Sequence, residues 1–143
     1  MDELLIGKKI NILAKRIHRR IDKETTQYGI TSVQGRILGF IHYKKSKEME
    51  TFQKDIEEEL DIRRSSVTSV LQLMEKNGLI ERISVSKDAR LKKIVVTKKG
   101  MEIHESVINI IMEIEKSLKD ELSDDEEKLL LNLIDRLSKK IAD

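Results

Sequence analysis

Residues 51–80, TFQKDIEEELDIRRSSVTSVLQLMEKNGLI, hold two short amphipathic segments separated by Asp61-Ile62. In the first, predicted as a helix over 51–60, Phe52, Ile56 and Leu60 fall on one side. In the second, predicted over 64–77, Val67, Val70, Leu71 and Met74 form the i, i+3, i+4, i+7 series of a single buried face. Asn77-Gly78 supplies the stop, with glycine where a helix end favours it. Two helices joined by so short a turn make a helix-turn-helix. The opposite face of the second helix carries Arg64, Ser65, Thr68, Ser69 and Gln72. Short donors and acceptors of this kind enter a major groove without a steric penalty and reach base edges or phosphates. No acid interrupts that face before Glu75, and it lacks the Glu/Lys pairs of an ordinary solvated helix.

The hydrophobic period changes after Gly78. Ile83 and Val85 alternate with polar residues, and Lys93-Ile94-Val95-Val96-Thr97 is β-branched and apolar, so two short strands are predicted around a loop at 86–92. The loop and its exit hold Lys87, Arg90, Lys92 and Lys93 around one acid, Asp88. A basic tip of this kind can enter a minor groove, where an arginine meets enhanced negative potential. The plainer reading is a charged turn that protects an edge strand. Its position directly after a helix-turn-helix favours the groove.

Working outward, the first helix is predicted over 4–25, with Ile6, Ile10, Leu13, Ile17 and Ile21 as its stripe and Gly29 beyond its end. The second is predicted over 32–43, capped by Thr31 or Ser32, with Val33, Ile37, Phe40 and Ile41 inward and Gly35 and Gly39 marking a close helix contact. A long helix over about 97–121 carries Ile103, Val107, Ile110, Ile111, Ile114 and Leu118, with Thr97 as its cap. Ser123 and Glu126 form a capping box for a last helix that reaches about Ile141. The terminal stripes are too long to be buried against so small a domain, and apolar patches of that length mark an association surface, here a homodimer. A two-fold dimer sets paired helices about 34 Å apart, one turn of DNA.

Composition narrows the function. Net charge is +2 over 143 residues, but residues 63–99 carry +7, against +1 for 1–62 and −6 for 100–143. A basic centre is the footprint of a polyanion partner. Four aromatics, Tyr28, Phe40, Tyr43 and Phe52, cannot line a single-strand-binding groove. No cysteine is present, which removes disulfides and thiolate metal sites, and no apolar run reaches the ~20 residues of a membrane span. With an acidic start that lacks a signal-peptide pattern, a soluble, cytoplasmic protein is expected. His18, His42 and His104 fall on separate predicted helices without metal or triad spacing, and the glycines are scattered. Neither an enzyme, a metal site nor a cofactor is expected. The alternative is a helical protein-interaction module without nucleic-acid binding, which leaves the basic centre unexplained.

Several stretches together resemble the MarR family of bacterial and archaeal regulators: residues 51–60, Ile62 to Thr68, Met74 to Ile80, Asp88-Ala89-Arg90, and Val96-Thr97-Lys98-Lys99-Gly100. The Asp-x-Arg wing followed by a strand and Thr-x-x-Gly is the most specific of them. The fold class expected is mainly α (α+β): a winged helix-turn-helix with a small antiparallel β-hairpin wing and long N- and C-terminal dimerisation helices. The domains expected are a dimerisation helix at 1–28, a DNA-binding lobe at 29–100 and dimerisation helices at 101–143. The resemblance implies a triangular homodimer on double-stranded DNA, with the fourth helix in the major groove, Arg90 in the minor groove and Asp88 orienting the wing arginines. The expected DNA-binding set is Arg63, Arg64, Ser65, Ser66, Thr68, Ser69, Gln72, Lys87, Asp88, Arg90 and Lys92. Arg63 stands where relatives carry a small polar cap, which assigns it to phosphate. The resemblance also implies a small anionic or aromatic effector near Leu13, Ile17, Phe40 and Tyr43, residues that otherwise read as plain core.

Overall fold

The computed structural model describes residues 4–85 and 88–142; for Asp88 and Ala89 it describes the backbone alone. The chain runs through α1 (Ile6–Thr25), a 3-10 turn (Thr26–Tyr28), α2 (Ser32–Ser46), α3 (Gln53–Leu60), α4 (Arg64–Lys76), β1 (Ile80–Val85), β2 (Asp88–Val96), α5 (Lys98–Asp120) and α6 (Asp124–Ile141). By internal packing it divides into two units, Met1–Ile110 and Ile111–Asp143. Among the described residues no helix is long and apolar enough to cross a membrane.

The first unit holds the core. Gly29, at φ 76°, turns the chain out of the 3-10 segment, a conformation glycine adopts without a Cβ penalty. The Gln34 N–H donates to Thr31 Oγ1 and the Thr31 N–H to Gln34 Oε1, so α2 starts in a full capping box. The Ser32 N–H donates to Asp22 Oδ1 at 2.6 Å, which ties that start to α1. Ile37, Leu38 and Ile41 are fully buried along α2, joined by Ile56 of α3, by Val67, Leu71 and Met74 of α4, and by Ile80 and Ile94 of the hairpin. Leu38 and buried Gln34 lie off the expected stripe, because α2 is covered on more than one side.

Three sequence expectations are corrected here. Thr51 and Phe52 do not begin α3. They are extended: the Ile94 N–H donates to Thr51 O at 2.8 Å and Phe52 bridges Lys93, which adds a short third segment to the β1–β2 sheet. The Asp55 carboxylate accepts the Phe52 N–H at 2.8 Å and so fixes the start of α3 there. Asp88 to Lys92, expected in a loop, belong to β2, which pairs antiparallel with β1 and shifts register between Ser84 and Val85. Ile83 does not face the core: it is 40% exposed, while Ile80 is buried and Arg82 is half-buried. An ion pair allows the arginine to take the inward side, as described below.

One junction fixes α4, the hairpin and α5 together. Gly78, at φ 75°, ends α4, and the Leu79 N–H reaches back to Met74 O at 2.9 Å. Thr97 then uses three groups. Its hydroxyl donates to Gly78 O, its N–H donates to Leu79 O at 3.1 Å, and its Oγ1 accepts the Gly100 N–H at 3.0 Å as the cap of α5. Gly100 is buried against Leu79, where a Cβ would overlap the carbonyl oxygen and lie 2.7 Å from Val96 Cγ1.

In the second unit, Ser123 and Glu126 form the expected capping box of α6 at 3.2 and 2.9 Å. No described residue of α6 is buried, and Leu129, Leu130, Leu131, Leu133, Ile134 and Leu137 are all exposed. In the first unit Ile6, Ile10 and Leu13 of α1 are exposed as well.

Because relief of the Gly100 overlap requires backbone movement, Gly100→Ala should lower stability by about 1–3 kcal/mol, the usual range for overpacking. Urea unfolding followed by circular dichroism checks this; an unchanged midpoint would remove the junction from the account.

Candidate nucleic-acid interface

The α4 helix is held from below by Val67, Leu71 and Met74, each within 1% of complete burial. That anchoring turns Arg64, Ser65, Ser69 and Gln72 outward, and all four are exposed. Arg63 and Ser66 are exposed too. Arg63 is the N-cap residue and makes no side-chain capping bond, and the first turn of α4 holds no acid beside the positive end of the helix dipole. The Ser69 hydroxyl donates to Ser65 O at 3.1 Å, a back-bond within the helix that leaves its acceptor lone pairs outward.

Thr68 differs from its neighbours. It is half-buried, and its Oγ1 accepts a hydrogen bond from Gln53 Nε2 at 2.8 Å; the same amide reaches Arg64 O at 3.5 Å. Gln53 is thus a strut between the first residue of α3 and α4. With its oxygen serving as acceptor inward, the Thr68 hydroxyl has its proton to donate elsewhere. Gln53 was missed in the sequence. The only signal was a long amide at a helix start, and its partner is fifteen positions away.

The hairpin places Arg90 and Lys92 on β2, both exposed. Lys87 and the Asp88 side chain lie outside the described residues. The base of the hairpin is clamped to α4. Arg82 Nη2 meets Glu75 Oε1 at 2.9 Å, and the Arg82 backbone N–H donates to Glu75 Oε2 at 3.3 Å. The Arg82 hydrogen bond and charge, helped by Lys92, hold the Glu75 carboxyl below its ordinary range against some opposing desolvation. Lys93 is likewise matched by Glu50 at 3.6 Å. Among the described residues, Arg82 and Lys93 of the basic segment thus meet carboxylates, and Arg63, Arg64, Lys92, Lys98 and Lys99 are exposed, as is Arg90.

The four residues expected near an effector differ in burial. Leu13 and Tyr43 are exposed, and Ile17 and Phe40 are half-buried. A cavity of about 580 Å³ in the first unit is lined by other residues, among them Ile41, Thr51, Ile94 and Met101. The histidines also correct an expectation: His42 and His104, read as isolated, lie ring to ring at 5.0 Å. Gly39 faces His104, where a Cβ would make an ordinary van der Waals contact at 3.6 Å. Burial first, and His42 second, push the His104 pKa down. Among the described residues no group of three or more His, Cys, Asp or Glu is placed to hold a metal ion.

The sequence profile of the MarR family matches residues 28–91, the span that carries α2, the helix-turn-helix and the start of the wing strand. Over that span the chain is similar to the MarR family. Among relatives, it is 31% identical over 77 residues to the HTH-type transcriptional regulator BilQ of Clostridioides difficile, a match covering 54% of this chain and 52% of that protein. The chain thus spans about half the length of that relative. It is 27% identical over 120 residues to YwhA of Bacillus subtilis, an uncharacterized HTH-type transcriptional regulator, covering 84% of both. Among solved structures, MepR of S. aureus in complex with DNA superposes with a TM-score of 0.86 at 27% identity, covering 95% of this chain and 98% of MepR.

Glu75→Gln should lower stability by on the order of 0.5 kcal/mol, because the pair is half-exposed and screened. A carboxyl with a lowered folded pKa contributes fully above the ordinary carboxylate range and loses that contribution as pH falls through it. The difference between the two proteins in urea unfolding should therefore be present at neutral pH and vanish in acid.

Proposed function

We propose that this chain is a MarR-family regulator of transcription that binds double-stranded DNA sequence-specifically, a repressor that acts as a homodimer on a pseudo-palindromic operator. The observation that carries this reading is the exposed polar ridge of α4, Arg64, Ser65, Ser69 and Gln72, fixed by a fully buried underside. The similarity to MepR, solved on DNA, supports the same use of that ridge. The +7 segment at 63–99 supplies the attraction to phosphate and counts against a purely protein-binding module.

In this reading Arg64, Ser65, Thr68, Ser69 and Gln72 face base edges and phosphates of the major groove. Arg63 and Ser66 take the backbone at the helix start. Arg90, with Lys87, Asp88 and Lys92 around it, enters the minor groove. Residues 1–28 and 101–143 serve dimerisation, and 29–100 form the DNA-binding lobe. The exposed apolar residues along α1 and, separately, along α6 support that assignment, since an apolar helix stripe left open to water marks an association surface. A small anionic or aromatic effector relieves binding, and the protein works in the cytoplasm, without catalytic activity of its own.

Arg90→Ala should weaken binding to a selected operator duplex by ~1–3 kcal/mol, roughly five- to 150-fold, and flatten the log affinity–log salt slope by about 1. Fluorescence anisotropy across a salt series checks both, and an affinity without salt dependence would return the protein-interaction module to favour. Sizing with light scattering at micromolar concentration should give twice the 16.6 kDa chain mass. A stable monomer would overturn the role given to the terminal helices.

A further inference from the structure

Two neighbouring hydroxyls on the α4 ridge are set with opposite polarity. The Ser69 hydroxyl donates to Ser65 O at 3.1 Å, the usual back-bond of a helical hydroxyl to the carbonyl four residues earlier. For Thr68 the corresponding carbonyl is that of Arg64. Gln53 stands in the way of that bond: its Nε2 approaches Arg64 O at 3.5 Å and donates to Thr68 Oγ1 at 2.8 Å. A carbonyl accepts and does not donate, so Arg64 O fixes which end of the amide faces α4, and the nitrogen end obliges Thr68 to accept. Among the described residues the Thr68 hydroxyl gives its proton to no group. That proton is left for an acceptor brought to the ridge.

We propose that Gln53 is a positioning residue for sequence readout. By occupying the Thr68 oxygen and the Arg64 carbonyl, it keeps the Thr68 proton for a base-edge acceptor of the operator, such as guanine O6 or N7. The inference rests on the DNA-binding reading of α4 and deepens it. Gln53 is the first residue of α3 and acts through Thr68, not through a base. Base edges are the target because Thr68 lies in the second turn of α4, in the N-terminal part that a recognition helix turns to the bases. A hydroxyl free to rotate satisfies donors and acceptors alike, whereas one with its oxygen engaged favours acceptors.

The test selects duplexes from a random-sequence pool with the full-length protein, then measures fluorescence anisotropy on the selected duplex and its single-base variants. Gln53→Met keeps the length and removes the donor, so that Thr68 falls back on Arg64 O as Ser69 does on Ser65 O. Preference for an acceptor base at one position of each half-site should then fall by about threefold to tenfold, with other positions unchanged. Gln53→Glu reverses the bond. Its carboxylate takes the Thr68 proton and leaves oxygen lone pairs outward, so preference at that position should move to an amino-bearing base, adenine or cytosine. Repulsion of phosphate by the new charge weakens every duplex alike and leaves the ratios untouched. In a Thr68→Val background, Gln53→Met should not alter the ratios at all. Equal loss of affinity for every duplex, wild-type ratios in both Gln53 variants, or altered ratios with Val at position 68 would each overturn the inference alone. A wild-type protein that enriches no duplex would overturn the DNA-binding reading together with it.

Discussion

The functional face depends on what happens at two adjacent carbonyl groups, those of Gly78 and Leu79. Both would otherwise be unsatisfied acceptors at the end of α4, and Thr97 takes them with its hydroxyl and its N–H. The same threonine oxygen caps α5 through Gly100, whose missing Cβ lets the backbone of the two segments touch. A helix end, a strand entry and a helix start are thus welded by polar groups within a few ångströms. The Glu75–Arg82 clamp adds a second attachment between α4 and the hairpin, on the other side of the turn. The end of α4 is thus attached to the exit of β2 through Thr97, and α4 is attached to β1 through Arg82.

On that platform the polar ridge of α4 divides the labour among its residues. Arg64, Ser65, Ser69 and Gln72 are exposed, while Thr68 is held by Gln53. A hydroxyl whose acceptor side is occupied is a directed donor, and a directed donor discriminates between neighbouring groups better than a freely rotating one. The strut also joins α3 to α4 at a point where the turn residue Asp61 adopts φ 51°, an uncommon conformation for a residue with a side chain. The angle between the two helices is therefore set both at the turn and across the gap.

Most of what was legible in the sequence was local. The spacing of Val67, Leu71 and Met74 identified the buried side of α4, and Ser123 with Glu126 located the start of α6, because each signal spans a few residues and acts within one helix. Thr97 and Gly100 were visible as a motif, though their reason, the Leu79 carbonyl, was not. Errors arose where a distant partner overrode a local pattern. Thr51 and Phe52 lie in a helical period but pair with Ile94 and Lys93. Ile83 yields the inward side to its neighbour Arg82 because Glu75 is there to neutralise it. His42 and His104, sixty-two positions apart, meet ring to ring across α2 and α5. Each of these needs a contact that a window of ten residues does not contain.

The α6 helix is well capped yet buries no described residue of its own. Most helical stability in proteins comes from packing of an amphipathic face and not from propensity, so the order of α6 depends on what covers its leucines. In the proposed homodimer, subunit pairing would then be coupled to the ordering of this element. An unpaired copy would leave those leucines open to water near the end of the chain, where proteolysis concentrates.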